Sequence, residues 1–248
     1  MESTQNVTRI LAQRIQNEFD NVSAVLHSVQ GILIRIPDGQ VDDRLGTLAQ
    51  SFANVDQINI FNAEGILTHS SRGPNTIQGQ VSVADRPHFQ YLQNNPDVTF
   101  NLSPVLNART SNGRRSMVLL YAMRDENKKL LGVTTAVIHM DKIEALIESA
   151  QPGQDGVALL RRSDNFKLIA RFPRYKEADF NQALPPENPI RQRIEAGEQF
   201  GYLQYTASTN GTRRMGSFHC LTNYPLYLQV AVSQDRAFYS WRRYTAVV

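Results

Sequence analysis

Apolar positions Val7, Ile10, Leu11, Phe19, Val22, Val25, Leu26, Val29, Ile32 and Leu33 mostly step by three or four, and no proline interrupts them before Pro37. The spacing predicts one amphipathic helix. About thirty residues at 1.5 Å each give roughly 45 Å, more than a compact domain needs, so the helix is expected to act as a spine or a dimer contact. Pro37-Asp38-Gly39 ends it, and a short helix is predicted around Asp42 to Phe52. The period then changes to two. Ile58 and Ile60, the turn Asn62-Ala63-Glu64-Gly65, then Ile66 and Leu67 predict a strand hairpin, with Gly65 supplying the positive φ such a turn requires.

Beyond "VSVADRPHFQYLQ" come "VTFNLSPVLNA", "RRSMVLLYAMRD" and "KLLGVTTAVIHM", separated by turns at Ser111-Asn112-Gly113 and Asp125-Glu126-Asn127. They read as three antiparallel strands, and Asp141 to Ala150 as a helix broken by Pro152-Gly153. The layout then returns. "GVALLRRSDNFKLIARF" is strand, turn, strand. A proline loop and a short helix, Ile190 to Ala196, follow. "FGYLQYTA", "TRRMGSFHC" and "LYLQVAVS" supply three more strands, and Asp235 to Tyr244 a closing helix. The predicted class is α+β: a long N-terminal helix, residues 1–40, then two units, 41–150 and 151–248, each with a mainly antiparallel sheet. The repeat is one of layout; the halves do not match residue by residue.

Composition narrows the chemistry. Of 248 residues, 41% are hydrophobic and 20% charged, enough apolar content for packed cores. The formal charge is +3 and the Arg residues are scattered, whereas a nucleic-acid binder concentrates them on one face, so no nucleic-acid partner is expected. The single Cys220 excludes an internal disulfide and beside Leu221 reads as a small buried hydrophobe. The five histidines have no metal spacing. No Gly-rich phosphate loop, nucleophile elbow or carboxylate pair is present. Neither a cofactor, a metal site nor catalytic residues are expected, and this part of the protein is predicted not to be an enzyme. No run of about 18 apolar residues occurs. "SWRRYTAVV", however, places Trp, Arg and Tyr before an apolar start, like an interfacial anchor.

The densest cluster of chemistry lies in Val81 to Gln93. Asp85 suits a helix N-cap and Pro87 the first helical turn. Phe89 and Leu92 follow at helical spacing and are expected to pack inward. Arg86 and His88 are left over as binding candidates.

The pieces "IFNAEGILTHSS", "DRPHFQYL", "LSPV", "GVTTAVIHMDKI", "GVALLRRSDNFKLIARFP" and "YPLYLQVAVSQDRAFYSWRR", in this order, resemble the double Cache family of extracytoplasmic sensor domains. The resemblance covers nearly the whole chain. It implies two PAS-like units on a long helix, a membrane-distal one holding the ligand and a membrane-proximal one ending toward the membrane. It also implies flanking transmembrane helices, a periplasmic or extracellular location, a homodimer through the N-terminal helix, and a cytoplasmic output, a diguanylate cyclase or histidine kinase in the first place and a chemotaxis module as the other choice. In the family's amino-acid-sensing branch an Arg and a Trp hold the ligand carboxylate, and a Tyr and an Asp hold the ammonium. Arg86 matches that Arg. His88 stands in place of the Trp, Val81 near that of the Tyr, and His139 in place of the Asp.

The anion half of the pattern therefore survives in part and the ammonium half does not. A buried ammonium without a carboxylate costs several kcal/mol. Arg86 remains a planar, permanently charged fork for an oxyanion, with His88 and His139 as additional donors. The expected ligand is a small anion or carboxylate. Further candidates are Asp85, Tyr121 (alternating with Leu119 and Met123 along the strand expected to floor the pocket), Ser103 at a strand end, and Arg115 after the turn at Gly113. A ligand-free dimerisation module is the alternative, and a periplasmic enzyme or solute-binding protein a more distant one.

Overall fold

A computed structural model describes residues 2–35, 37–73, 80–153, 155–174, 180–207 and 211–234. The expected turn at Ser208 to Asn210 and the closing helix from Asp235 lie outside the described residues. Helix α1 runs over Glu2–Arg35 without interruption. Leu11, Ile15, Phe19, Val22, Leu26 and Val29 lie along one face at steps of three and four, none more than 4% exposed. Ile10, which the periodicity assigns to the stripe, is instead 60% exposed, and Ile15 takes the inward place. Among the described residues no helix is long and apolar enough to cross a membrane.

Two compact units divide the chain. One comprises Glu18–Lys142, the other Met1–Asn17 with Ile143–Val248, so α1 contributes its first half to one and its second half to the other. In the Glu18–Lys142 unit, α2 (Val41–Gln50) precedes the hairpin of β1 (Gln57–Asn62) and β2 (Leu67–Ser70). Then come α3 (Pro87–Asn94), the short β3 (Phe100–Leu102) and β4 (Leu106–Asn107), and the long β5 (Arg115–Arg124) and β6 (Leu130–His139). The sheet order is β2-β1-β6-β5-β3, with β4 also on β5, and the described pairs are all antiparallel.

The central strand β6 is buried on both faces, and α3 covers one of them. Phe89 and Leu92 of α3, both fully buried, pack against Val118, Leu120, Ala122, Val133 and Val137. Burying a side chain of this size stabilises by roughly 1.5–3 kcal/mol. Alternation sends the neighbours of Val118 and Leu120 the other way. Tyr121 therefore meets α1, its ring 5.0 Å from that of His27, and Phe100 lies 5.3 Å away.

After β6 comes α4 (Met140–Glu148), at which the chain passes into the other unit, and the plan repeats. Strands β7 (Val157–Arg162) and β8 (Leu168–Phe172) precede α5 (Pro189–Glu195), which Asn188 caps by accepting from the amides of Ile190 and Arg191. Strands β9 (Phe200–Thr206), β10 (Arg213–Cys220) and β11 (Leu226–Ser233) follow. The order β8-β7-β11-β10-β9 is that of the first sheet. Phe166, Ile190, Phe218, Cys220 and Tyr227 form its core. Cys220 is buried in that core, which pushes its thiol up to about 11.

Candidate ligand-binding site

The start of α3 positions the site. The turn between β1 and β2 closes with the Gly65 amide donating to Asn62 O at 2.9 Å, and Gly65 adopts a φ of 77°. A Cβ there would lie 2.8 Å from the Ala84 nitrogen and 3.1 Å from the Phe89 ring. The hairpin thus sits directly against the segment that leads into α3. Arg86 is the N-cap, with extended φ and ψ and no side-chain cap bond, and Pro87 opens the helix. Asp85, expected as the cap, serves otherwise. It accepts both guanidinium nitrogens of Arg109, at 2.6 and 2.7 Å, because the helix starts one residue later than the Asp-Arg-Pro order suggests. This hydrogen bonding holds the exposed Asp85 carboxyl down at about 2.

A cavity opens between the beginning of α3, β1, β6 and the segment from Leu106 to Thr110. It is small, about 430 Å3 with its open mouth included. Its walls carry Phe61, Val83, Leu106, Val118, Leu120 and Val137, and its polar positions are Asn59, Arg86, His88, Arg109, Thr110 and Thr135. Among the described residues the half-buried Arg86 makes one long side-chain hydrogen bond, 3.4 Å from Nη2 to Asn107 O. Arg109 is already matched by Asp85, so Arg86 carries the positive charge that remains. His88 is 8% exposed. Burial, and then the charge of Arg86, push it down to about 4, so it is neutral near pH 7. Expected as an additional donor, stronger when protonated, it offers a neutral imidazole.

A model of the double Cache family, described as a Cache domain, matches residues 1–241. The chain belongs to this family. Similar solved structures share its fold. The extracellular domain of rpHK1S-Z16, described as a histidine kinase, is 22% identical with a TM-score of 0.79, and 95% of each chain is covered. The ligand-binding domain of the Pseudomonas aeruginosa amino acid chemoreceptor PctB, in complex with L-Gln, is 15% identical with a TM-score of 0.72, covering 100% of this chain and 99% of that one. The periplasmic sensory domain of the Campylobacter jejuni chemoreceptor Tlp1 is 12% identical with a TM-score of 0.73, and 95% of each chain is covered. Comparison with curated proteins finds no match. As a Cache domain the chain is a sensor module rather than an enzyme.

The Cache domain brings only part of the expected set together. Arg86 and His88 line the cavity, and Asp85 acts on it through Arg109. His139 does not line it. Its Nδ1 lies 2.9 Å from Ser116 Oγ and its Nε2 2.8 Å from Asp56 Oδ1. Asp56 also accepts from Ser111 and Arg72, at 2.9 and 2.6 Å. Burial pushes Asp56 up, but Ser111, His139 and Arg72 together outweigh it and hold the carboxyl below its usual value. Tyr121 lies on the opposite face of β5, against α1, because residues 118 and 120 take the cavity side. Ser103 is fully buried and bonds locally, donating to Pro104 O at 2.7 Å and accepting from the Val118 amide at 2.9 Å. Arg115 is half-buried at the start of β5, opposite Asn107.

Asn59, Thr135, Thr110 and Arg109 escape the sequence reading. Asn59 carries a signal: it stands between Ile58 and Ile60 in a strand that is otherwise mostly apolar. Among the described residues no group of His, Cys, Asp or Glu is arranged to hold a metal ion.

Proposed function

We propose that this Cache domain is the extracytoplasmic sensor of a membrane signalling protein and binds a small anionic or carboxylate ligand in the Glu18–Lys142 unit, membrane-distal in the intact receptor. The observation that carries the proposal is Arg86. It lines a small cavity whose described lining has two guanidinium groups and no carboxylate, and of these two only Arg109 is hydrogen-bonded to an acid among the described residues. A planar guanidinium fork fits a carboxylate at two points. PctB binds L-Gln and belongs to the same fold, so the carboxylate end of an amino acid is chemistry this fold accommodates. The absence of an acidic side chain from the described lining disfavours a ligand ammonium.

The likeness to the extracellular domain of rpHK1S-Z16 supports a histidine kinase as the output, with a diguanylate cyclase as the other candidate. The 34-residue α1 suits a homodimer contact. The decisive experiment is calorimetric titration of the chain with a panel of organic acids and amino acids. Binding of organic acids with no zwitterionic amino acid supports the proposal. Tight binding of an amino acid with no organic acid sinks it.

A further inference from the structure

We propose that the cavity also recognises a hydroxyl group, so that the ligand is a small hydroxycarboxylate. This rests on the anion-binding reading and adds a second point of recognition to it. Asn59 of β1 and Thr135 of β6 are directly opposite each other in the strand register and both line the cavity. They are 1% and 3% exposed. Asn59 Nδ2 donates to Thr110 Oγ1 at 3.3 Å, which leaves Oδ1 as the end of the amide still to be matched. Among the described residues neither Asn59 Oδ1 nor Thr135 Oγ1 has a hydrogen-bond partner, and His88 Nδ1 is a third such atom. Buried polar side-chain atoms are nearly always paired, so three unpaired ones on the residues that line one cavity call for a partner that enters it.

What enters is constrained by the kind of atom that waits. Asn59 Oδ1 only accepts, so the ligand must present a donor there. A carboxylate has none at neutral pH. A hydroxyl supplies one to Asn59 and can at the same time accept from Thr135. An ammonium would also donate, but it would bring a full charge to a floor whose described neighbours are neutral or cationic. A neutral donor beside an anion is therefore the better match, with the anion on Arg86 at the start of α3 and the hydroxyl on the sheet.

The test is isothermal titration of the 248-residue chain with lactate, propionate, malate, succinate and alanine. In at least one of the pairs lactate–propionate and malate–succinate, the hydroxy acid is expected to bind about tenfold or more tightly than its deoxy partner, because a site that pairs a hydroxyl rejects the analogue lacking it. Thr135→Val and Asn59→Leu are expected to bring that ratio toward one while the deoxy acid still binds. Circular dichroism melts show that each variant is folded, and Thr135→Val, which keeps the shape of the side chain, serves if Asn59→Leu is not. Equal affinities within both pairs overturn the hydroxyl inference and leave the anion reading standing. Binding of alanine alone, or of none of the five compounds, overturns both.

Discussion

Arg86 and His88 divide the work of the cavity between charge and neutrality. Arg86 is half-buried and holds the protein by one 3.4 Å side-chain bond, so removing it should cost little stability. Arg86→Ala is expected to lower affinity for an organic acid about a hundredfold at an unchanged melting temperature. Arg86→Lys should restore little, because an ammonium lacks the planar fork. Titration and thermal melts of the two variants check both statements.

His88 gives a pH dependence of defined sign. The unfolded side chain titrates near 6.5 and the folded one at about 4. Protons therefore favour the unfolded state: the contribution is complete above pH 6.5 and is lost as pH falls toward 4. The difference corresponds to on the order of 3 kcal/mol. Urea melts between pH 7 and 4 should show this loss, and His88→Gln should flatten it; an unchanged slope in the variant would assign the effect elsewhere. Both residues were visible in the sequence because they are polar positions at a helix start whose other positions have packing or capping roles. Asn59 and Thr135 were not. In a strand, a polar residue normally marks the solvent face, and only the packing of α3 over β5 and β6 turns that face into the wall of a cavity.

At the scale of elements, hydrophobic period placed most of the described helices and strands within a residue or two, but "VTFNLSPVLNA", read as one strand, is two short ones, β3 and β4, interrupted at Pro104, and the period could not say which face of β5 bounds the cavity. "MVLLYA" is apolar at successive positions because α1 covers one face and α3 the other. Alternation vanishes when both sides are buried, and Tyr121 was assigned to the wrong one. The entry to α3 was more legible. Gly65 was expected to need a positive φ, and the structure adds a second reason for glycine there, the close approach of Ala84 and Phe89. Gly113 offers the control, since it too has a positive φ, 70°, but a Cβ would meet nothing within 4 Å. Both Gly65→Ala and Gly113→Ala incur backbone strain of roughly 1–3 kcal/mol. Only Gly65→Ala should also displace the Ala84–Arg86 segment and weaken acid binding. Melts and titrations of the two variants separate strain from displacement, and equal binding in both would show that the hairpin does not position Arg86.

For the whole molecule, the repeated layout in the sequence corresponds to two sheets of the same strand order, each with its own core. Two cores can respond to a ligand separately. A ligand that binds only the folded form at a hundred times its dissociation constant stabilises that form by about 2.7 kcal/mol. If the ligand enters the Glu18–Lys142 unit, the gain should fall on openings that destroy the cavity. Amide hydrogen exchange with saturating organic acid is then expected to slow in β1, β6 and α3. The amides of β7 to β11 should change only where they exchange through global unfolding. Protection confined to β7 to β11 would move the site to the other unit, and uniform protection of both would mean that they open as one. The distinction matters for signalling, since a ligand shifts a receptor between states only by binding them unequally. Protection concentrated around the start of α3 would identify that segment as the element through which the inequality acts.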